Sequence, residues 1–171
     1  MPVQHPAHYL IFVRHSAVQI DQDRSSHEWV LSADGRARCL PLAKSLSQYQ
    51  PSLFVSSEEQ KAIETAQIIS SALGIPQRSA PGLQEHNRAG TPYLNSNRGF
   101  RAAITEFFNH PGKLVFGQET AVDAFSRFNQ AVFREIALHP HNSHANLTFV
   151  THGTVLTLFV CHYNPQLDPI A

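Results

Sequence analysis

Three short apolar runs, each closing on polar residues of a reactive type, constrain this chain more than any other feature. Residues 9–13 lead into Arg14-His15, residues 53–55 into Ser56-Ser57, and residues 147–151 into His152-Gly153. Continuous apolar runs of this length read as strands buried on both faces of a sheet. Between them the spacing changes to that of helices. Ser32 is placed to cap a helix over 33–50 with Leu40, Leu42, Ala43 and Leu46 on its apolar face, and Pro51 stops it. A second helix spans 59–73, with Ile63, Ala66, Ile69 and Leu73 on one side and Gly74-Ile75-Pro76 as its stop. Residues 81–97, rich in Pro, Gly and Asn, read as loop. Helices follow at 100–109 and 121–138, the latter turning Phe125, Phe128, Val132 and Ile136 to one side, and Phe107, Phe108, Phe125 and Phe128 are expected in the core. After a loop at 139–146 and the third strand, a last helix begins near Thr154. Strands alternating with helices predict an α/β fold, a three-layer α/β/α sandwich with a mostly parallel sheet. No internal repeat or low-complexity linker divides residues 1–171, which read as one domain.

Composition narrows the function. Hydrophobic residues are 42% and charged residues 15%, enough for a core and too apolar for a disordered chain. Thirteen Lys and Arg balance 13 Asp and Glu, so no basic field points to nucleic acid or an anionic membrane. A bound anion must be held by a local cluster. The first apolar run lacks a basic flank and is too short for a signal peptide, and no stretch reaches the length of a membrane span, so a cytoplasmic protein is expected. Asn146-Leu147-Thr148 matches a glycosylation triplet that carries no weight without a secretion signal. Cys39 and Cys161 have no metal or redox spacing and read as buried thiols.

The unusual feature is 11 histidines. In open parallel sheets, ligands bind beyond the carboxyl ends of the strands. If the three strands are neighbours, Arg14, His15, Ser56, Ser57 and His152 reach one edge. A helix starting just after His152-Gly153 would add free N–H groups and a positive dipole end. Such an anion site suits phosphoryl transfer: a neutral imidazole attacks phosphorus to form phosphohistidine, cations hold the phosphoryl oxygens, and a carboxylic acid protonates the leaving alcohol. Singly, these residues have plainer readings. Ser56 and Ser57 read as caps of the following helix, Lys61 as an exposed helix lysine, Glu85 as a solvated loop carboxylate and Arg14 as a surface ion pair. His139, His141 and His144 read as a solvated loop rather than a metal centre.

Four ordered segments carry a resemblance. "LIFVRHS", "LSADGRARCLPLAKSL", "LFVSSEEQKAIETAQII" and "LTFVTHGTVL" resemble successive motifs of the histidine phosphatase superfamily, the phosphoglycerate-mutase-like group, from Leu10 to about Leu156. The resemblance implies that His15 is the nucleophile and that Arg14 and His152 clamp the phosphoryl oxygens. Gly153 would allow close backbone approach. Lys61 stands where the family has a second arginine, and a lysine lacks the bidentate fork. Glu85, in "GLQEHNRAG", aligns with the family acid as proton donor, with Glu58, Glu59 and Glu119 as competitors. "VFGQET" resembles a further family segment and places Gln118 and Glu119 near the site mouth. Ser16 replaces a glycine. Asp21 replaces the asparagine carried by mutases, and a carboxylate there disfavours an acidic substrate. The family continues beyond Pro169-Ile170-Ala171, so the resemblance implies a chain shortened at its C-terminus.

The resulting expectation is a metal-independent phosphatase, with no cofactor, acting through phosphohistidine on a small phosphorylated substrate or a phosphoprotein. A backbone carbonyl is expected to orient the second ring nitrogen of His15, and activity is expected to fall below pH ~6 for an ordinary imidazole. The oligomeric state stays open. A phosphoglycerate-type mutase is the first alternative; it needs more basic residues, to which Arg88, Arg98 and Arg101 could contribute, and a closing insert. A non-catalytic phosphate-binding scaffold is the second.

Overall fold

Every apolar run forms a strand, and all the strands run the same way. In the computed structural model, which describes residues 9–89, 91, 97–139 and 146–170, the strands are β1 (Leu10–Arg14), β2 (Pro51–Ser56), β3 (Gln77–Ser79) and β4 (Asn146–Thr151). The helices are α1 (Ala33–Leu46), α2 (Gln60–Leu73), α3 (Asn97–Asn109), α4 (Ala121–Ala137) and α5 (Gly153–Tyr163). The sheet order is β1-β4-β2-β3, parallel throughout. Because β4 lies between β1 and β2, the three strands expected to share an edge do share one.

Strand alternation sorts the core into two layers. Phe54 and Val150 point to the side of α1 and α2, where they join Val13, Cys39, Ala43, Ala62, Ala66 and Ile69. Their neighbours Val55 and Phe149 point to the other side and meet Phe107, Phe128, Val132, Val155 and Phe159 from α3, α4 and α5. Helices on both faces of a parallel sheet form the expected α/β/α sandwich. Phe107 and Phe128 are fully buried, while Phe108, Phe125 and Ile136 are partly buried against the same layer.

Several local readings are corrected. Leu40 is 58% exposed; the inward face of α1 is Gly35, Cys39, Ala43 and Leu46, at near four-residue spacing. A Cβ on Gly35 would lie 1.9 Å from Ala17 O, so only glycine lets α1 approach the segment after His15. The helix ends at Leu46 and continues as a 3₁₀ turn, Ser47–Tyr49. Pro51 is the first residue of β2, a strand position that tolerates proline. Ile63 and Leu73 are half-buried, since the first turns of α2 bury Lys61, Glu64 and Thr65 instead. Cys161 is half-buried rather than buried. The polar edge strand β3 carries no apolar run and was not expected. His141, His144 and residues 92–96 of the expected loop lie outside the described residues. Among the described residues no helix is long and apolar enough to cross a membrane.

Candidate active site

The site is assembled at the carboxyl edge of the sheet by ladder hydrogen bonds that run one residue past the strands. His15 N donates to Thr151 O at 2.9 Å, and Ser57 N donates to Val150 O at 2.9 Å. These contacts bring the residues following β1, β2 and β4 together, and the His15 and His152 rings stand 5.2 Å apart.

His15 is oriented by its own chain. Its Nδ1 lies 2.8 Å from Ser16 O. A carbonyl only accepts, so Nδ1 carries the proton and Nε2 keeps its lone pair. Ser16 N is held by Thr65 Oγ1 at 3.1 Å, and Thr65 in turn donates to Lys61 O at 2.7 Å. Burial lowers the His15 pKa, the bond to Ser16 opposes this, and the cations Lys61 and Arg14 reinforce it. The ring is therefore neutral at pH 7.

His152 is fully buried as the cap residue of α5. Its Nε2 lies 2.6 Å from Ser57 Oγ and 3.4 Å from Glu59 Oε1, and Nδ1 has no partner among the described residues. Burial pushes its pKa down to about 4, against the pull of Glu59 and Glu85. Arg14 is exposed at the end of β1 with its guanidinium over Gly153, where a Cβ would sit 3.4 Å from its Cζ.

Glu85 is bound more firmly than a loop carboxylate. It accepts from Thr154 N at 3.1 Å, Val155 N at 3.2 Å and His86 N at 2.9 Å. Burial works to raise its pKa; Arg88, His152 and the backbone N–H groups of His86 and Thr154 outweigh it and hold the carboxyl at about 2. Two expectations change as a result. The N–H groups of Thr154 and Val155 at the start of α5 are occupied by Glu85, and the proposed donor rests as a carboxylate.

Lys61 is buried, not an exposed helix lysine. Its Nζ lies 2.7 Å from Glu59 Oε2 and donates to Ser26 O at 2.5 Å, so it pins the segment between β1 and α1. Glu59 is equally buried. It accepts from Glu85 N at 2.7 Å and faces His27 Nδ1 at 3.1 Å. Burial disfavours its charge, but His27, His152 and Lys61 hold it well below the usual carboxylate range. Ser57 accepts from Glu59 N at 3.2 Å and faces His152, while Ser56 bonds Ser79 across the sheet; neither caps α2, whose cap residue is Glu59.

Other candidates lie around this centre. Glu58 accepts from Gln84 Nε2 at 2.7 Å. Glu119 forms a bidentate pair with Arg127, at 2.6 and 3.2 Å, and accepts from Asn87 N, so it braces the loop after Glu85. Gln118 N donates to Asn87 O. Arg88 donates to Thr154 Oγ1 at 2.7 Å, 3.6 Å from Glu85, whereas Arg98 and Arg101 are exposed on α3. Asp21 pairs with Arg24 at 3.4 Å. Among the described residues no group of three or more His, Cys, Asp or Glu forms a metal cluster.

Paired histidines, cations and carboxylates stand together at the edge of a parallel sheet. The chain belongs to the histidine phosphatase superfamily (branch 1), whose sequence profile matches residues 10–169. Comparison with functionally curated proteins gives no match. Solved structures show the same fold. A mycobacterial glucosyl-3-phosphoglycerate phosphatase is 21% identical with a TM-score of 0.74, over 94% of this chain and 81% of that one. Bacillus stearothermophilus YhfR is 23% identical with a TM-score of 0.72, over 94% and 82%. A phosphoserine phosphatase from Entamoeba histolytica, in complex with phosphoserine, is 16% identical with a TM-score of 0.66, over 94% and 81%.

The sequence gives Arg127 no part, and it does not single out Glu59. Glu59 was one of several competing acids, and nothing in its spacing separates it from Glu58.

Proposed function

We propose that the protein hydrolyses phosphomonoesters of a small molecule or a phosphoprotein, without a metal, through a phosphohistidine on His15. The observation that carries the reading is the neutral His15 ring, its Nδ1–H fixed on Ser16 O and its Nε2 lone pair left for attack beside a second histidine. Nε2 bonds to phosphorus as the ester P–O bond breaks. The departing electron pair leaves on the alcohol oxygen, which takes a proton from Glu85. That carboxyl acquires its proton when the anionic phosphoryl group enters beside it and raises its affinity. Glu85, again a carboxylate, then removes a proton from the water that attacks phosphohistidine, releasing phosphate and restoring His15. Arg14, His152 and the Gly153 N–H hold the phosphoryl oxygens. Lys61 acts from behind Glu59, through its field.

Hydrolysis is favoured over transfer between acidic phosphates because Glu59 keeps its negative charge in the site while Glu85 takes up the proton it donates. Two of the similar structures are phosphatases by name, which agrees with this choice.

The test is release of phosphate from a generic aryl phosphate with chelator present. Wild type should turn over, and His15→Ala should lose activity by about a thousandfold or more. Activity abolished by chelation, or retained by His15→Ala, would overturn the reading. Phosphate binding without turnover would favour a scaffold.

A further inference from the structure

The pairing of Lys61 with Glu59 raises a charge question. A phosphoryl group beside His15 meets Arg14 directly, while the Lys61 ammonium is held by a carboxylate and a backbone carbonyl. Arg88 is turned to Glu85 and Thr154 Oγ1, so the group left to supply a second positive charge is His152, which faces Glu59 and Lys61 from α2 and its cap, Glu85 from the loop after β3, and His15 from the end of β1. Its two nitrogens are in different settings. Nε2 has Ser57 Oγ at 2.6 Å and Glu59 Oε1 at 3.4 Å, and Nδ1 is buried without a partner among the described residues.

We propose that Glu59 is a positioning residue that keeps a proton on His152 Nε2 while a phosphoryl oxygen takes the hydrogen bond of Nδ1–H, so that His152 grips phosphate as an imidazolium. The inference rests on the reading of His152 as a phosphoryl ligand. Ionised Glu59 can only accept, so it favours N–H at the nitrogen it faces, and Ser57 Oγ can accept there as well. Without phosphate, burial keeps the ring neutral. When phosphate dianion binds, the ring takes up one proton from solvent, separately from the proton that Glu85 acquires, and the imidazolium lies between Glu59 on one side and phosphate on the other. Lys61 balances the Glu59 carboxylate, and His27 at 3.1 Å fixes its orientation.

The probe is inorganic phosphate, which needs no turnover. The His152 ring resonance, assigned by its loss in His152→Gln, is titrated by NMR with and without phosphate. In wild type the His152 pKa should rise on phosphate binding, to above 7. In Glu59→Gln the rise should shrink by at least one unit, with phosphate affinity about tenfold weaker at pH 5 and nearer wild type at a pH well above the bound-state pKa. Glu59→Asp should restore part of both. A wild-type His152 that stays neutral in the phosphate complex overturns the proposal without any variant, as does a wild-type protein that binds no phosphate. So does a folded Glu59→Gln protein with unchanged titration and affinity. Proton uptake at His152 in a protein that hydrolyses no phosphomonoester would instead sink the phosphatase reading and leave this one standing.

Discussion

At the scale of single residues, both histidines are neutral chiefly because they are buried. His15 loses solvent and lies near Lys61 and Arg14, both of which disfavour its charge. His152 is pressed to about 4 chiefly by burial, with Lys61 and His15 adding to it, while Glu59 and Glu85 pull the other way. Protonating His15 removes the attacking lone pair, so kcat/KM falls as pH drops through the pKa of His15 in the free enzyme. That pKa is below 6.5, and the acid limb must therefore lie below that value. The profile is measured with an aryl phosphate after correction for the ionisation of the substrate. A limb centred at 6.5 or above would show that His15 is not desolvated as described. The strand pattern places Arg14, His15, Ser56, Ser57 and His152 at one edge, because they stand at or just past the strand ends, whereas Glu85 enters only through the family resemblance. It did not reveal the resting charge of Glu85, which depends on the N–H groups of Thr154 and Val155 and on Arg88, all distant in the chain.

At the scale of elements, the loop that carries Glu85 is held by a helix with no chemical part of its own. Arg127 on α4 donates to the carbonyls of Gly82 and Gln84 at 3.0 and 2.9 Å and to Glu85 O at 3.2 Å. Its fork also pairs with Glu119, which accepts from Asn87 N at 2.8 Å. Arg127→Met should lower stability by about 2–3 kcal/mol, because it strands Glu119 and frees three carbonyls at once. It should also reduce kcat more than it raises KM, since Glu85 is displaced while Arg14 is not. Urea unfolding and steady-state kinetics check both, and a variant with wild-type stability and kcat would mean the loop holds itself. Helical spacing found α2 and α4, and Thr120 with Asp123 closes a capping box at the start of α4. It misplaced part of the inward face of α1 because Cys39, not Leu40, packs in the core layer and Gly35 meets Ala17 in the segment after β1. It also missed β3, a polar edge strand paired on one side only. Arg127 gave no signal at all, for a guanidinium that binds backbone carbonyls leaves no period in the sequence.

At the scale of the whole molecule, a protein of zero net charge gathers a cluster of buried charged groups at one edge of its sheet. The strand order β1-β4-β2-β3 sets three chain segments, far apart in sequence, at a common edge, and the two-sided core on Phe54 and Phe149 keeps that edge rigid. Alternation of apolar runs with helical stretches was enough to foresee this architecture. The Glu59–Lys61–His27 cluster was not foreseeable, because it joins α2 to a turn whose position the pattern does not set. Within this frame the central claim is covalent: phosphorus is bonded to His15 during turnover. The direct measurement is to quench a radiolabelled phosphomonoester with enzyme under denaturing, alkaline conditions and to map the label by peptide. Acid-labile label on the peptide containing His15, absent from His15→Ala, is the expected result. Turnover with no trapped label, or label on any other residue, would contradict it.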